Sequence, residues 1–397
     1  MQLPSLPVWI VLAMAAGGAF GFLAPEAAKP LAVVTSIFLR LIRSIIAPVL
    51  FGALVTAVAG SLGSLGRLGW RSLVYFEIST ALALILGWGV VAVARPGDGA
   101  LIEAAPVAAE SLNAGALVEQ VFPASIMDAM ARSDVLQIVV FCLIFGAAVG
   151  KAGVRGEPVL RFAEAMTAIA FQYTRYVMYL APAAVFAAMA VTVAGSAGAM
   201  LASLARFVLA AWVAQTLFVI VVIAGSLRLF GVPLPRFAAF VREPFLVAFA
   251  TTSSAAALPQ TLESMERFGV PRRVLGIVAP LSLSFNLTGS CIHLAMCAFF
   301  VAQAAGIDLP AGRQAMILLT LKLTSKGVAG IPRANFVVLS GLFAQFGLPM
   351  EGLAVLLGID ALIDPIRTSV NVVGHCAAAA VVGSREQAPV CSSGGAC

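Results

Sequence analysis

The residues best suited to chemistry lie in one apolar segment near the carboxyl end of the chain, "GIDALIDPIRTSVNVVGH". The segment contains Asp360, Asp364, Arg367, Asn371 and His375. Their spacing places the first four side chains on one face of a helix, with His375 one turn further along. Arginine suits bidentate capture of a carboxylate, and aspartate suits an ammonium group. This face therefore predicts a binding site for a ligand that carries both kinds of charge.

Two alternatives to a binding site are a structural ion pair and a catalytic site. A buried ion pair of Arg367 with Asp364 or Asp360 would only join helices, but ionisable groups in apolar segments are costly and mark ligand or ion pathways. A membrane-embedded hydrolase would use the two aspartates as a dyad or Ser254 as a nucleophile. Residues four apart on a helix are stacked neighbours, and no motif near Ser254 supplies a base. We therefore predict that the protein is not an enzyme.

A second polar stretch, "LSLSFNLTGSCIH" at 281–293, interrupts another apolar segment. It places Ser284, Asn286, Thr288 and Ser290 where a continuous apolar helix is expected. Non-helical backbone at membrane depth survives only where protein or a water-filled cavity satisfies its polar groups. The stretch predicts an unwound turn that directs oxygen atoms at a cation or a substrate. The alternative is a helix-packing surface of small residues.

The composition places these segments in a membrane. The chain has 397 residues, of which 61% are hydrophobic and 11% charged, and its mean hydropathy is +1.04. Too few polar residues remain to cover a soluble globule of this size. The net charge of +6 is spread between apolar blocks without a basic stripe, which argues against nucleic-acid binding. The six cysteines show neither metal-ligand spacing nor a paired framework.

Apolar windows of about 20 residues predict an all-α polytopic membrane protein with eight transmembrane spans and two re-entrant hairpins. The spans lie near 6–24, 31–60, 71–94, 133–150, 158–195, 204–230, 270–303 and 351–383. The hairpins are the apolar stretches 237–262 and 311–345, which "TTSSAAALP" and "TSKGVAGIP" interrupt. The alternative for each is a pair of ordinary spans. Each hairpin precedes a polar span, and the two units enter from opposite sides, so they predict inverted repeats.

Charge placement predicts that both termini are cytoplasmic. In this topology the inner side carries Arg67, Arg71, Lys151, Arg155, Arg228, Arg236, Arg267, Arg272, Arg273 and Arg385. The outer side carries Lys29, Arg95 and Arg313. This asymmetry follows the positive-inside rule. The amino terminus lacks a basic region and a good cleavage site, so we expect a retained first span rather than a signal peptide.

The chain resembles the dicarboxylate/amino acid:cation symporter family, the bacterial and archaeal relatives of glutamate transporters. The matching stretches include "IFLRLIRSIIAPVLFGALV", "LQIVVFCLIFGAAV", "APAAVFAAMA", "AFATTSSAAALPQTLESM", "FNLTGS", "SKGVAGIPRANFVVL" and "LPMEGLAVLLGIDALIDPIRTSVNVVGH". The resemblance implies a homotrimer in the plasma membrane of a prokaryote and an elevator mechanism. Residues 1–236 would form mainly the scaffold and trimerisation helices, with the third and sixth spans partly in the transport domain. Residues 237–383 would form the transport core, and 384–397 a cytoplasmic tail.

The resemblance also implies a substrate site for glutamate or aspartate. Its contacts would be Asp364 to the substrate ammonium, Arg367 to the side-chain carboxylate and Asn371 to the main-chain carboxylate, with Thr368 and Ser290 assisting. Asp360 would position Arg367, while Ser254 and the backbone from Ile331 to Asn335 would close over the ligand. The rival substrate is a C4-dicarboxylate, because "YFEIST" and "TSKG" resemble that branch. In that branch the position of Asp364 is typically not aspartate.

The chain departs from the family pattern where the coupling cations should bind. The usual Asn-Met-Asp-Gly-Thr motif reads "NLTGS" in this chain, so Thr288 stands where the family has an aspartate. His375 stands where strongly sodium-dependent members have a second aspartate. We expect weakened sodium sites, with reduced sodium stoichiometry or proton coupling, and no other cofactor. The oxygen-ligand candidates are Ser79, Thr80, Ser284, Asn286, Thr288, Ser325 and Lys326. The proton-carrier candidates are His375, Glu77 and Asp360. The alternatives are a hydrogen-bonded core role for His375 and pairing of Glu77 with Arg40 or Arg43.

Overall fold

The structure is a computed structural model that describes residues 6–62, 67–100, 102, 122–132, 134–196, 199–326 and 334–384. These residues form helices and connections, with no β-strand among them. The α-helices are α1 Leu6–Leu23, α2 Pro25–Ala28, α3 Ala32–Ser44, α4 Ile46–Leu62, α5 Arg67–Ala94, α6 Ile126–Arg132, α7 Val135–Lys151, α8 Glu157–Met178, α9 Ala181–Ser196, α10 Ala199–Phe218, α11 Ala224–Leu229, α12 Leu234–Thr251, α13 Leu258–Phe268, α14 Arg272–Phe285, α15 Thr288–Ala304, α16 Ala311–Thr324, α17 Ala334–Phe346 and α18 Glu351–Ser384. Short 3-10 segments lie at Lys29–Leu31 and Gly153–Arg155, and a π-helical segment at Val219–Ile223 joins α10 to α11. The prediction of an all-helical protein is confirmed for the described chain.

Several helical segments have the length and hydropathy of membrane spans. Among the described residues there are four: Pro25–Gly60, Leu68–Ala94, Ala199–Leu229 and Arg272–Ala304. A fifth results if α8 and α9, which are bent by 51° at their junction, form one span. These segments are therefore expected to lie in a membrane. The arrangement of eight spans stays a prediction.

Two helix pairs double back where the sequence predicts hairpins. In the first pair, α12 and α13 are antiparallel. A hydrogen bond shows this arrangement: Arg236 near the start of α12 donates to the Phe268 carbonyl at the end of α13 (3.0 Å). Thr252, with φ of +50°, ends α12. In the second, Arg313 on α16 donates to the Phe346 carbonyl at the end of α17 (2.6 Å). The tip of this second pair includes residues 327–333, which lie outside the described part of the chain. Both pairs are antiparallel, and their re-entry into the membrane stays a prediction.

The helix break predicted in the second polar stretch is present but shorter than expected. The helix ends at Phe285 and restarts at Thr288, so only Asn286 and Leu287 are non-helical. Ser282 remains helical because its hydroxyl donates to the Ala279 carbonyl in the preceding turn (2.8 Å). The stretch from 282 to 290 is therefore mostly helix, with a two-residue interruption at its centre.

The long helix α18 lies in the middle of this arrangement. It packs against α1, α9, α10, α12, α14 and α15. The closest approach is at Gly289, where a Cβ atom would lie 2.2 Å from the carbonyl oxygen of Arg367. Only a glycine lets the first turn of α15 approach the α18 backbone so closely. This contact places the broken helix beside the charged face of α18.

Candidate functional site

The centre of the site is the guanidinium of Arg367, which bridges two carboxylates. Its Nη1 donates to Asp360 Oδ1 and its Nη2 to Asp364 Oδ1, each at 2.5 Å. The side chain of Asp360 is 1% exposed and that of Asp364 is 23% exposed. The two carboxylates therefore differ in exposure: that of Asp360 is buried within the protein, whereas that of Asp364 is partly exposed. Asp360 contacts Arg367 as predicted, and the ion pair of Arg367 with Asp364, which was the alternative to a ligand contact, is present as well.

Two neighbours complete this group, which we call the Arg367 cluster: Asp360, Asp364, Arg367, Thr368 and His293. Thr368 donates its hydroxyl to Asp364 Oδ1 (3.1 Å). His293 Nε2 lies 3.5 Å from Asp360 Oδ1, and Cys297 Sγ lies 3.3 Å from the same ring nitrogen. His293 was not among the residues predicted to bind a ligand. The sequence shows only that it ends the second polar stretch, whereas helix packing shows that it faces Asp360.

Asn371 joins α18 to the start of α15. Its Oδ1 accepts from the backbone N–H of Ser290 (3.2 Å), and its Nδ2 donates to Ser290 Oγ (3.2 Å). The N–H groups of a first helical turn lack partners within the helix, so Asn371 satisfies one of them. Gln215 on α10 donates to the Gly289 carbonyl (2.8 Å). The predicted ligand residues Asn371 and Ser290 are thus brought together, and Gln215 is an added support that the sequence did not reveal.

Several predicted cation ligands gather around the two-residue break. Ser79 donates to Asn286 Oδ1 (2.7 Å), and Asn286 Nδ2 donates to the Gly374 carbonyl (3.0 Å). The Thr288 hydroxyl is buried without a hydrogen-bond partner among the described residues. It would lie 2.9 Å from a Cβ atom at position 374. Thr288 Oγ1 is thus a buried oxygen without a partner among the described residues, which a cation site would use, and the cation role of this group stays a prediction.

His375 lies one residue beyond this group. Its imidazole is buried, and neither ring nitrogen has a hydrogen-bond partner within the described chain. The alternative of a hydrogen-bonded core histidine is therefore not what the described residues provide. Ser284 is half-buried near the end of α14.

Glu77 lies at a different charged contact, which involves two lysines. Lys322 Nζ lies 3.0 Å from Glu77 Oε2, and Lys326 Nζ contacts Glu77 Oε1. Lys322 also donates to Thr80 Oγ1 (2.5 Å) and to the Glu77 carbonyl. Pairing of Glu77 with Arg40 is therefore wrong, because α5 packs on α16 and meets its lysines; the side chain of Arg43 lies outside the described residues. Lys322, alone in an apolar run, was not predicted as a functional residue.

The residues predicted to close over a ligand are placed only in part. Ser254 is half-buried in the connection 252–257 between α12 and α13. Ser325 and Lys326 are buried at the end of α16, and Asn335 is buried in the first turn of α17. Ile331 lies outside the described part of the chain. The closing role of Ser254, Ile331 and Asn335 stays a prediction, as does the cation-binding role of Ser325 and Lys326.

The chain is similar to known proteins over nearly its whole length. The model of the sodium:dicarboxylate symporter family matches residues 6–385. The proton/sodium-glutamate symport protein of Geobacillus stearothermophilus is 35% identical over 382 residues, which cover 93% of this chain and 91% of that protein. The C4-dicarboxylate transport protein 2 of Pseudomonas aeruginosa is 36% identical over 391 residues, covering 95% and 90%. The C4-dicarboxylate transport protein of Bacillus subtilis is 33% identical over 394 residues, covering 96% and 94%.

Proposed function

The chain belongs to the sodium:dicarboxylate symporter family, and from this premise we propose that it imports an acidic amino acid, glutamate or aspartate. It is a secondary transporter and not an enzyme. The observation that carries the substrate proposal is the unequal burial of the two carboxylates on Arg367.

An incoming carboxylate must take a place on the Arg367 guanidinium. Asp360 is sealed and stays, so the more exposed Asp364 is the group that gives way at Nη2. Once released, the Asp364 carboxylate needs a new partner, because an unpaired charge at this depth is costly. The ammonium group of an amino acid supplies that partner, whereas a dicarboxylate without an amine would leave Asp364 unpaired or protonated. The exchange therefore favours a substrate with both an acidic side chain and an ammonium group.

A C4-dicarboxylate is the second candidate. The relatives named for glutamate and for C4-dicarboxylates match this chain to nearly the same degree, 35% and 36%. The overall similarity therefore does not separate the two substrates. The "YFEIST" and "TSKG" stretches favour the dicarboxylate, and Asp364 favours the amino acid.

We infer that transport is coupled to protons, or to fewer sodium ions than in relatives with an intact aspartate motif. The oxygens of Ser79, Asn286 and Thr288 support a cation-binding site at the break between α14 and α15. This group contains no carboxylate, and sodium binds more weakly without one.

We further propose a homotrimer in the prokaryotic plasma membrane, with eight spans, two re-entrant hairpins and both termini cytoplasmic. The transport core would be residues 237–383, moving as an elevator against scaffold helices within 1–236. The antiparallel pairs α12–α13 and α16–α17 support the hairpins, since each returns to the side from which it starts.

The test is uptake of labelled aspartate, glutamate and succinate into proteoliposomes under separately imposed sodium and proton gradients. Accumulation of aspartate or glutamate, abolished when the gradient is collapsed, is the expected result. Accumulation of succinate alone would assign the protein to the second candidate. Failure of all three under both gradients, in protein that remains folded, would contradict the transport proposal.

A further inference from the structure

The ammonium group of Lys322 lies among oxygen atoms that resemble the ligands of a bound cation. It contacts the Glu77 carboxylate at 3.0 Å, the Thr80 hydroxyl at 2.5 Å and the backbone carbonyl of Glu77. The Lys322 side chain is 15% exposed. Carboxylate, hydroxyl and carbonyl oxygens are also the ligands that hard cations such as sodium prefer. A tethered positive charge thus has a coordination sphere typical of a free cation.

The Thr80 hydroxyl shows why the ammonium and a sodium ion would exclude one another. Its proton is donated to the Phe76 carbonyl (2.6 Å), so only its lone pairs remain to receive a cation. Lys322 occupies that side of the oxygen. The neighbouring Ser79 bonds to Asn286 at the helix break, so this contact borders the predicted cation turn.

Helix register fixes Lys322 at this position. Trp88 on α5 donates to Gln314 Oε1 on α16 (2.8 Å), and Thr80 on α5 receives the Lys322 bond. Trp88 and Thr80 are eight residues apart, as are Gln314 and Lys322. This equals a rise of about 12 Å along each of two antiparallel helices. The position of the lysine is therefore a consequence of helix packing and not of one flexible side chain.

Charge balance argues against a purely structural ion pair. Lys326 alone would neutralise Glu77, with which it is in direct contact. Adding Lys322 leaves these three side chains with one net positive charge, at a contact where both lysine side chains are mostly buried and that of Glu77 is 47% exposed. Buried charges beyond those needed for pairing are costly and point to function.

We propose that the ammonium of Lys322 takes the place of one coupling cation, so that the transport cycle binds one sodium ion fewer. The inference rests on the proposed symport function for its meaning, but the occupancy itself can be measured without any substrate. The lysine is part of the protein and is not released with the substrate. The sodium gradient therefore drives substrate accumulation through one sodium ion fewer per cycle.

The test measures thermal unfolding of the purified protein without organic substrate, in sodium chloride against choline chloride at constant ionic strength. Lys322→Met removes the ammonium and leaves the oxygens of Glu77 and Thr80 free for a cation. We expect the unfolding midpoint of this variant to rise by about 2–4 °C more than that of the wild type between about 1 and about 300 mM sodium. Lys151→Met is the matched control, because it removes a lysine ammonium at an exposed position outside this contact, and its sodium response should equal that of the wild type.

An equal sodium response in Lys322→Met and the wild type would overturn the proposal and leave Lys322 as a structural ion-pair residue. Lys322→Gln carries the same test if the methionine variant does not fold. In proteoliposomes, the Hill coefficient of the uptake rate for sodium concentration should increase by about one in the same variant. Absence of uptake in the wild type, together with a sodium-specific midpoint shift in Lys322→Met, would contradict the proposed function and still support the tethered cation.

Discussion

At the scale of single residues, the unequal burial of the Asp360 and Asp364 side chains separates their roles. Asp360 accepts from Arg367 and faces His293, and it is nearly inaccessible. Asp364 accepts from Arg367 and Thr368 and is partly exposed. A sealed carboxylate suits the positioning of the guanidinium, and an accessible one suits contact with a ligand. The two aspartates are therefore not equivalent, although they are four residues apart on one helix.

Asp364→Asn should separate the two candidate substrates. The amide removes the charge that receives a substrate ammonium, while Asp360 still holds Arg367. Loss of one charge-assisted hydrogen bond costs about 1.5–3 kcal/mol, so kcat/KM for aspartate or glutamate should fall about 10- to 100-fold. Initial uptake rates in proteoliposomes measure this change, and any succinate uptake should be retained. Asp308→Asn, at an exposed position outside the cluster, is the control. Equal losses for all substrates would contradict an ammonium contact.

Arg367→Lys should abolish transport although it keeps the charge. A guanidinium bonds Asp360 and Asp364 through separate nitrogens, and an ammonium on a shorter stem cannot reproduce that planar geometry. We expect at least a 100-fold loss of uptake, or about 3 kcal/mol, and a lower thermal unfolding midpoint, because the buried Asp360 carboxylate loses its guanidinium partner. Arg313→Lys, which alters a bond to the Phe346 carbonyl outside the cluster, should retain uptake. Near-normal uptake in Arg367→Lys would show that a point charge is enough.

The four members of the Arg367 cluster on α18 could be predicted from sequence because they share one helix, where spacing determines the face. His293 and Lys322 could not be predicted in the same way. Their partners Asp360, Glu77 and Thr80 lie on other helices, and contacts between helices depend on which faces pack together. Lys326 was predicted for its backbone carbonyl, whereas the structure also gives its ammonium a partner.

At the scale of elements, helix breaks were predictable where polar and small residues interrupt an apolar run. The breaks at 286–287 and 252–257 lie inside the predicted interruptions. Their lengths were not predictable, because serine can remain helical by bonding to its own preceding turn, as Ser282 does. The close backbone contact of α15 with α18 was also absent from the sequence analysis, since a single glycine has many roles.

Gly289→Ala tests that contact. The added methyl group would lie 2.2 Å from the Arg367 carbonyl, so α15 or α18 must shift. Overpacking of this kind costs about 1–3 kcal/mol, and it displaces the backbone that carries Arg367. We expect a lower unfolding midpoint and strongly reduced uptake. Gly276→Ala is the matched control, because a Cβ atom there meets nothing within 4 Å. If both variants had the same midpoint and uptake, the two helices would not be in the close contact described.

At the scale of the whole molecule, the proposed elevator makes α18 slide against α1 and α9. The contact is tight at Gly358, where a Cβ atom would lie 3.2 Å from Met14 Sδ and 3.3 Å from Val185 Cγ1. These neighbours belong to the proposed scaffold, whereas Gly358 belongs to the proposed transport core. A covalent link across this contact should therefore stop the cycle, while a link within the core should not.

The decisive pair is Val185→Cys with Gly358→Cys, in a background without the native cysteines. A Cβ atom at position 358 would lie 3.3 Å from Val185 Cγ1, so the two Cβ positions are within about 5 Å, near the separation that a disulfide needs. We expect oxidation to remove at least about nine-tenths of uptake and dithiothreitol to restore it, because motion between two parts requires their contact to break. The control is Val270→Cys with Gly383→Cys, whose Cβ atoms would be 3.7 Å apart within residues 237–383. That link joins parts that move together, so uptake should survive its oxidation. Full uptake by completely crosslinked 185–358 protein would contradict the elevator division, since α18 and α9 would then stay together throughout transport.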